Sequence, residues 1–410
     1  MRRRARSAEA AVADLPPVLP ARVDALWPLK ARVLSDPTAI DATAWDRLLA
    51  RQSRPTPFMR HAYLAALHAS GSAVTRSGWQ PRFVTVQRGG ELVAAAPAYL
   101  KTHSYGEYVF DWAWADAYQR HGLPYYPKLL VAVPFTPVPG SRLMATDDDA
   151  RAALMAALAS LAEASEASSI HLLFHDDAET PAIARRGWLV RQSVQFHWEQ
   201  QTGEPWPDFA AFLASLQRDK RKKIQQERRR VADAGIAFTV HRGREIDAGL
   251  WRFFHHCYLL TYRAHHSKPY LTVDFFEAMA RTMPEHWLMF VARRGTQPIG
   301  ASLVAIDSER GQAWGRYWGA TEYLPCLHFE ACYYQPLQWC IAQGFQRFEG
   351  GAQGEHKMAR GLLPVATRSA HWLAHPEFSR AVEDFLRREG QGVAAYVDEL
   401  HEHSPFKAVG

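Results

Sequence analysis

The chain contains two similar stretches, GGELVAAAPAYL at 89–100 and GTQPIGASLVAI at 295–306. Each follows another strand-like run, RFVTVQR at 82–88 in the first case and HWLMFVARR at 286–294 in the second. Two runs of strand length joined by a glycine-containing turn are typical of a β-hairpin. The sequence therefore predicts one hairpin in each half, about 200 residues apart, and the second strand of the first hairpin is expected at 91–101.

The predicted elements that follow the two hairpins also occur in the same order. In each half we expect a strand, a helix and two further strands. In chain order these are residues 105–115, 149–165, 169–175 and 188–199, and then 312–319, 329–343, 347–349 and 366–374. A repeat of this length implies two duplicated α+β domains, each a mixed sheet flanked by helices, rather than a solenoid.

The repeat and the charge pattern divide the chain into four parts. We expect a poorly ordered N-terminal tail over residues 1–35 and a first domain over 36–203. A second domain over 204–390 should open with a basic helix. Residues 391–410 should form a C-terminal helix and tail.

The composition excludes several classes of protein. Hydrophobic residues make up 48% of the 410 residues and charged residues 22%, which is an ordinary globular balance and excludes extensive disorder. No apolar run reaches the length of about 18 residues that a membrane-spanning helix needs. The four cysteines form no CxxC pair, and no HExxH motif is present, so we predict no disulfide scaffold and no metal site. Reduced thiols favour a cytoplasmic protein.

The positive charge is concentrated in one segment, RDKRKKIQQERRR at 218–230. It holds eight basic and two acidic residues, so its local charge of +6 equals the net charge of the whole chain. Its flanks favour a single helix over 208–234, ending before Gly235. Such a helix is either a solvated surface or a binding surface for a phosphate-bearing partner, such as tRNA, a nucleotide-sugar diphosphate or CoA. The candidate phosphate-binding residues are Arg218, Arg221 and Lys222.

A glycine-rich segment, FEGGAQGEHKMARGL at 348–362, is the strongest candidate for a site. A predicted strand ends there at Glu349, and four glycines then bracket several polar side chains. Glycine lets the backbone approach a ligand closely, and amides together with Lys and Arg can hold an anion or a developing oxyanion. The alternative is a mobile surface loop. The candidate residues here are Glu349, Gly350, Gly351, Gln353, Gly354, Lys357 and Arg360.

Three other segments supply candidate substrate-binding residues. The aromatic strand at 314–319 carries Arg316 and Tyr317, which either pack or form a substrate wall. On the next predicted helix, Glu330 and Tyr334 share one face, and a buried Glu330 would need a partner such as Arg316 or Lys357. The segment 111–142 is too aromatic for a solvent loop, so it is either a packed insertion or a second substrate wall. Its candidates are Asp111, Tyr126, Lys128 and Arg142.

Three stretches of the sequence resemble the FemAB-like proteins, a branch of the Fem peptidyl-transferase group in the Gcn5-related acyltransferase superfamily. They are EYVFDWAWADAYQRHGLPYYPKLLVAVPFTPVPGSR at 107–142, the basic helix followed by GIAFTV at 235–240, and residues 331–372, which include the glycine-rich segment. The resemblance implies two tandem acyltransferase-like domains. It also implies transfer of an amino acid from aminoacyl-tRNA to an amine of a peptidoglycan precursor, with Lys357 at the acyl-donor site.

The sequence departs from related patterns in two places. It lacks the long charged helical hairpin of some Fem proteins, and the basic helix stands in its place. It also lacks a clear Q/R-x-x-G-x-G/A loop, which cradles pyrophosphate in CoA-dependent members, since the segment 320–328 contains no glycine. This favours aminoacyl-tRNA over acetyl-CoA as the acyl donor, and acyl-CoA stays open as the alternative.

Together these features lead us to expect an N-acyltransferase acting on an amine of a small molecule or cell-envelope precursor. Lys357 and the amides of the glycine-rich segment would stabilise the oxyanion, and Arg360 with the basic helix would hold phosphates. Glu349 or Asp111 would take the proton of the attacking amine. The alternatives are a non-catalytic protein that binds tRNA or another anion, and a CoA-dependent acetyltransferase. The sequence does not define the oligomeric state.

Overall fold

The computed structural model describes residues 13–14, 28–201, 203–351 and 354–407. The first half of the chain holds ten strands: β1 (Ala13–Asp14), β2 (Leu29–Leu34), β3 (Trp79–Pro81), β4 (Phe83–Arg88), β5 (Glu91–Ala96), β6 (Ala98–Lys101), β7 (Lys128–Val131), β8 (Met144–Ala145), β9 (Ser169–Leu172) and β10 (Leu189–Glu199). Its α-helices are α1 (Ala42–Ala50), α2 (His61–Ala69), α3 (Trp112–Arg120), α4 (Asp148–Ala164) and α5 (Thr180–Arg185).

Over its described residues, the second half holds six strands and most of the long helices. The strands are β11 (Ile236–Arg242), β12 (Trp287–Arg294), β13 (Gln297–Asp307), β14 (Gln312–Ala320), β15 (Arg347–Glu349) and β16 (Leu363–Leu373). The helices are α6 (Phe209–Ser215), α7 (Arg218–Asp233), α8 (Ala248–Ala264), α9 (Val273–Thr282), α10 (Leu327–Phe329), α11 (Gln335–Ala342) and α12 (Pro376–Glu402). A π-helical turn, Glu330–Tyr334, joins α10 to α11.

The strands form two sheets, and the larger one runs through both halves of the chain. The smaller sheet has the order β1-β2-β4-β5-β8, and the larger has the order β11-β12-β13-β14-β15-β10-β16-β9-β7-β6-β3. Strand β10 of the first half lies between β15 and β16 of the second half, with Trp198 opposite Phe348 and Val190 opposite Ala370. The predicted boundary at 203/204 therefore separates segments that share one sheet, and it stays a prediction.

Both predicted hairpins form, as β4–β5 and β12–β13, but the strand predicted over 91–101 is wrong in its extent. Pro97 divides it into β5, which belongs to the smaller sheet, and β6, which belongs to the larger one. Proline has no N–H to donate to a neighbouring strand, so a proline within an apolar run favours a break. The carbonyl of Pro97 still accepts a hydrogen bond from the amide of Ala132.

Two other predicted elements are wrong. The strand predicted over 105–115 is a loop followed by α3, and Gly106 and Tyr108 in that loop have positive φ angles of 82° and 62°, which interrupt an extended chain. The single helix predicted over 208–234 is two helices, α6 and α7. They are separated because Leu216 is extended and forms a bridge with Phe406, near the C-terminus.

The chain ends also differ from the prediction where they are described. Most of the tail predicted over 1–35 lies outside the described residues, but Leu29–Leu34 forms the regular strand β2 rather than a poorly ordered segment. The C-terminal helix predicted from residue 391 begins earlier, at Pro376, and has 27 residues. Within the described ranges, no helix combines the length and apolar character needed to cross a membrane.

Helix α8 packs very closely on strand β14, and this contact requires a glycine. A Cβ atom placed on Gly319 would lie 2.1 Å from the carbonyl oxygen of Cys257 and 2.8 Å from Thr261 Oγ1. Thr261 Oγ1 also donates a hydrogen bond of 2.9 Å to the carbonyl of Trp318. Because the clash would involve backbone atoms, a side chain at position 319 would push the helix away from the strand.

We therefore expect Gly319→Ala to lower the free energy of unfolding by about 3 kcal/mol, because the overpacked helix must shift. Gly390→Ala is the matched control: Gly390 lies inside α12, and no atom would lie within 4 Å of an added Cβ. It should raise stability by up to about 1 kcal/mol through helix propensity alone. Urea denaturation measures both values, and equal effects of the two substitutions would contradict the close-packing account.

Candidate functional site

The candidate site begins where two parallel strands separate. Strand β14 has nine residues, but it pairs with β15 only at Gln312–Trp314, opposite Arg347–Glu349. A bulge follows on β14, since Leu303 of β13 is opposite Tyr317 whereas Val304 is opposite Gly315. The extra residue is Arg316, and bulges of this kind turn a side chain to a new direction. Beyond Trp314 and Glu349 the pairing of the two strands ends, and we call this interruption of the sheet the gap.

Lys357 places its ammonium group at this gap. It lies on a short 3-10 helix, Glu355–Arg360, and its Nζ donates a hydrogen bond of 2.8 Å to the carbonyl of Gly351. A Cβ atom on Gly351 would lie 3.9 Å from Lys357 Nζ and 4.0 Å from the carbonyl oxygen of Gly315 on the other strand. The side chain is buried, and burial lowers its pKa to about 8. No carboxylate in the described parts of the chain forms an ion pair with it.

The glycines of the loop are required by the same close packing. A Cβ atom on Gly350 would lie 2.5 Å from Leu362 Cδ2 and 3.3 Å from Lys357 Cδ. Gly351 and Gly354 have φ angles of 89° and 116°, which favour glycine. The predicted residue Gln353 lies outside the described residues.

Glu349 closes the base of the gap and links the two halves of the chain. Its Oε1 accepts a hydrogen bond of 2.9 Å from Arg54 Nη2 in the first half. Its Oε2 is buried without a hydrogen-bond partner and lies 3.9 Å from His197 Nε2. Burial lowers the pKa of His197, which favours the neutral ring. Oε1 thus binds the Arg54 guanidinium, and Oε2 has no hydrogen-bond partner.

Arg360 connects the loop of Lys357 to the basic helix α7. Its Nη2 donates to both carboxylate oxygens of Glu227, at 3.0 and 3.1 Å, and its guanidinium lies 3.5 Å from the ring centre of Phe329. The hydroxyl of Tyr334 donates a hydrogen bond to the same carboxylate. Both partners are largely buried, so the predicted phosphate ligand Arg360 is instead occupied by an internal ion pair. We name this group, Glu227, Tyr334 and Arg360, the helix clamp.

The predicted partner of Glu330 is wrong. Glu330 pairs with Arg228, whose Nε lies 3.1 and 3.3 Å from its two oxygens, rather than with Arg316 or Lys357. Glu330 and Tyr334 both contact α7, because the π-helical turn that contains them packs against that helix. Two residues predicted to bind substrate therefore hold the basic helix in place.

The outer face of α7 keeps the charge that the sequence predicts. The predicted phosphate ligands Arg218 and Lys222 are exposed, and Arg221 is partly exposed. The inner face carries Ile224 and Val231, both buried. This face is held by the helix clamp and by Arg228, so the remaining cations point to solvent.

The first-half candidates form a separate buried cluster. Lys128 Nζ donates to Asp111, to Glu107 at 2.7 Å and to Ser104 at 2.8 Å, and Tyr125 donates to Asp111 at 2.6 Å. Lys128 holds the pKa of the Asp111 carboxyl well below its usual range, although burial acts in the opposite direction. A carboxylate with a lowered pKa is a weak base, so this pairing disfavours the predicted catalytic role of Asp111.

Two more first-half candidates are bound within the protein. Tyr126 shares a hydrogen bond of 2.8 Å with Ser104. The amide of Arg142 donates to Glu179 at 2.8 Å, its guanidinium donates to the carbonyl of Val138, and burial lowers its pKa to about 10. These contacts favour the packed insertion over a second substrate wall in this segment.

A cleft of about 590 Å³ lies beside the loop of Lys357. Its lining includes Tyr108, Phe110, Gln195 and Phe196 of the first half and Gly354 of the loop. Of the predicted site residues, Gly354 lines this cleft.

The sequence interpretation missed three residues of this arrangement: Arg54, His197 and Glu227. Nothing in the local sequence marks Arg54 or His197. His197 lies opposite Glu349 in the pairing of β10 with β15, and Arg54 reaches Glu349 from the loop after α1. Glu227 did carry a signal: it is the one acid between Ile224 and Val231 at helical spacing, so it belongs to the buried face of a basic helix.

Removing Glu227 should destabilise the helix clamp. We expect Glu227→Ala to lower the free energy of unfolding by about 3–5 kcal/mol, because it leaves the buried Arg360 without its counter-ion. Gln226→Ala, on the exposed side of the same helix, is the control and should change stability by less than about 0.5 kcal/mol. Denaturant unfolding measures both free energies. A loss of stability in Glu227→Ala as small as that in the control would contradict the stabilising role of the helix clamp.

Several solved structures are similar to this chain. L-PGS from Bacillus licheniformis matches with a TM-score of 0.51 and 9% identity, over 87% of this chain and 97% of its own. FemX has a TM-score of 0.49 and 11% identity, over 84% and 98% of the two chains. A tandem GNAT protein from the clavulanic acid biosynthesis pathway has a TM-score of 0.43 and 13% identity, over 85% and 99%. At such identities the likeness concerns the fold alone. The predicted α+β class, with mixed sheets and flanking helices, is confirmed.

No curated protein sequence is significantly similar to this chain. A family model described as FemAB-like, peptidoglycan biosynthesis/recognition, matches residues 36–408. The match covers every described element from α1 to α12, including the basic helix and the loop of Lys357. The resemblance read from the sequence is confirmed, and the chain belongs to the FemAB-like family.

Proposed function

We propose that this protein is an N-acyltransferase that transfers an acyl or aminoacyl group to an amine of a small-molecule or cell-envelope precursor. Membership of the FemAB-like family supports an acyltransferase-type activity. One observation carries the proposal for Lys357: its ammonium lies beside the loop that follows β15, without a carboxylate partner among the described residues. A cation held in this way is free to interact with a charge that develops during a reaction.

The reaction needs such a cation. The nitrogen of the acceptor amine forms a bond to the acyl carbon, and the carbonyl electrons move onto the oxygen. The resulting oxyanion collapses, and the donor's oxygen or sulfur leaves with its bonding electron pair. Burial lowers the pKa of Lys357 to about 8 in the resting protein. An oxyanion that forms beside this poorly hydrated cation would therefore be stabilised more strongly than one that faces a hydrated lysine.

The attacking amine must also lose a proton. Each of the two predicted bases has one carboxylate oxygen without a hydrogen-bond partner. Glu349 is the better of the two, because Lys128 holds the pKa of the Asp111 carboxyl well below its usual range. We therefore propose Glu349 Oε2 as the acceptor of this proton, which is later passed to the leaving group. Positioning of the two substrates in the cleft supplies a further part of the rate.

The exposed face of α7 is proposed to bind the phosphates of the acyl donor. Its cations are held toward solvent by the helix clamp, which also joins α7 to the loop of Lys357. This arrangement favours an extended polyanion such as aminoacyl-tRNA. Acyl-CoA remains the alternative donor, and a non-catalytic tRNA-binding protein is the alternative function.

Replacing Lys357 separates these alternatives. We expect Lys357→Met to lower transfer activity by about a hundredfold or more, because an oxyanion donor is lost. The same substitution should raise the melting temperature, because it removes a buried charge that lacks a counter-ion. Transfer of a labelled aminoacyl group from tRNA, or of acetyl from acetyl-CoA, to a panel of amines measures the activity. A parallel loss of activity and stability would contradict the assignment, and tRNA binding without any product would favour the binding protein.

Lys357→Arg is the matched control, and the dependence of activity on pH tests whether Lys357 acts as a cation. Lys357 is a cation below its pKa of about 8, so activity of the unaltered protein should fall as the pH rises through about 8. Arginine keeps its charge, so the alkaline fall should move to higher pH in Lys357→Arg. An alkaline fall that stays at the same pH in both proteins would show that Lys357 is not the titrating group.

The role of α7 is tested by charge reversal. We expect Arg218→Glu with Lys222→Glu to weaken tRNA binding and to reduce its dependence on salt, because fewer phosphate contacts release fewer counterions. Arg244→Glu with Arg252→Glu changes the net charge equally at exposed positions outside α7 and is the control. Binding isotherms at several salt concentrations measure both, and equal losses would assign the effect to net charge alone.

A further inference from the structure

Helix α12 passes along the cleft beside the loop of Lys357. Its residues Glu389, Val393 and Tyr396 line the cleft, and their spacing of four and three places them on one face of the helix. The rest of the lining comes mostly from β10, from the loop before α3 and from the loop of Lys357. One face of α12 therefore forms a wall of the cleft.

The helix is anchored at both ends of this wall but not between them. Val382 and Leu386 pack in an apolar cluster with aromatic residues of α3, and Leu400 packs in a second cluster with residues of α6. Between Leu386 and Leu400, a stretch that the structure describes in full, no residue is buried. We name residues 387–399 the strap. Because apolar packing supplies most of the stability of a helix in a protein, the strap is held less firmly than the ends.

Two polar contacts hold the strap in place. Near its start, the two oxygens of Glu389 accept hydrogen bonds of 2.6 and 2.8 Å from Arg191 on β10. Near its end, the hydroxyl of Tyr396 donates a hydrogen bond of 2.6 Å to Glu355, and its ring packs against the cluster of Leu400. Glu355 is exposed and is the first residue of the short helix that carries Lys357. The second contact therefore joins the strap to the loop of Lys357, at a place where water competes for the hydrogen bond.

Two glycines lie between these contacts. No atom would lie within 4 Å of a Cβ added to Gly390 or Gly392, and neither residue has a positive φ angle. Neither close packing nor backbone conformation therefore requires glycine at these positions. Glycine weakens the interior of a helix relative to alanine, because it has more conformational freedom in the unwound chain. The intrinsically weakest part of α12 thus lies in the wall of the cleft.

The floor of the cleft is closed to solvent in this arrangement. Gln195, Phe196 and Ser369 line the cleft, yet only 3–4% of each residue is exposed. A residue that lines a cleft and is nevertheless buried becomes accessible when a neighbouring element moves. The strap is such an element, because it is anchored only at its ends.

We propose that the strap is a movable cover of the cleft. It unwinds at Gly390 and Gly392, the contact between Tyr396 and Glu355 opens, and the floor of the cleft becomes accessible. The movement does not rest on the proposed acyl transfer, whereas its role in admitting a substrate does. Because Glu355 lies two residues before Lys357, the closed strap also holds the short helix that carries this lysine.

Amide hydrogen exchange of the full chain measures the movement. We expect Gly390→Ala with Gly392→Ala to slow the exchange of the strap amides by about tenfold or more, because alanine favours the helix. Tyr396→Phe should speed this exchange by about threefold or more, because the hydrogen bond to Glu355 is lost while the ring remains. Ser379→Ala, on α12 ahead of the strap, is the matched control and should leave the exchange of these amides unchanged.

Reaction of an introduced thiol with a maleimide measures access to the cleft. The thiol introduced by Ser369→Cys should react more slowly when the two glycines are replaced and faster in combination with Tyr396→Phe. Ser193→Cys, at an exposed position of the same cleft, is the control and should react at one rate in all variants. The reaction of the four native cysteines is measured in the unaltered protein and subtracted.

The two measurements together decide the proposal. Equal exchange rates in all strap variants would overturn it. Altered exchange with an unaltered reaction of the Ser369→Cys thiol would also overturn it, because the strap would then fray without covering the cleft. Opening as expected, without acyl transfer from either donor, would remove the proposed function and keep the cover. Acyl transfer at equal rates in all variants, with unchanged exchange, would do the reverse.

Discussion

The short parallel pairing of β14 with β15 is the constraint on which the site depends. Only three residues of each strand pair, and the bulge at Arg316 follows directly on β14. The glycines after Glu349 let the chain leave the strand without a clash, and the loop returns Lys357 to the opening. The gap, the buried ammonium and the position of Arg316 are therefore consequences of one interruption in the sheet.

The charges of this protein fall into two groups. Glu227 with Arg360, Arg228 with Glu330, and Lys128 with Asp111 are paired inside the fold, and each pair fixes one element against another. Lys357 lacks such a partner among the described residues, although its side chain is buried. Enclosed charges without counter-ions lower stability. A protein that keeps such a charge beside an interruption of its sheet is expected to use it to bind or stabilise a charged group.

The elements with local signals could be predicted from the sequence, and long-range contacts could not. Alternating apolar residues and glycine turns gave both hairpins, and the glycine-rich segment after Glu349 marked the site loop. The break between α6 and α7 escaped because Leu216 pairs with Phe406, far along the chain. The pairing of Glu349 with Arg54 escaped for the same reason, since it joins residues 295 positions apart.

The insertion of β10 between β15 and β16 has a consequence for synthesis on the ribosome. Strand β10 emerges early, but its two neighbours are the last strands to be made. Until they appear, both edges of β10 present unpaired backbone groups, which are the usual templates for aggregation. The nascent first half must therefore wait for the end of the chain, and premature termination would release a polypeptide with an open sheet.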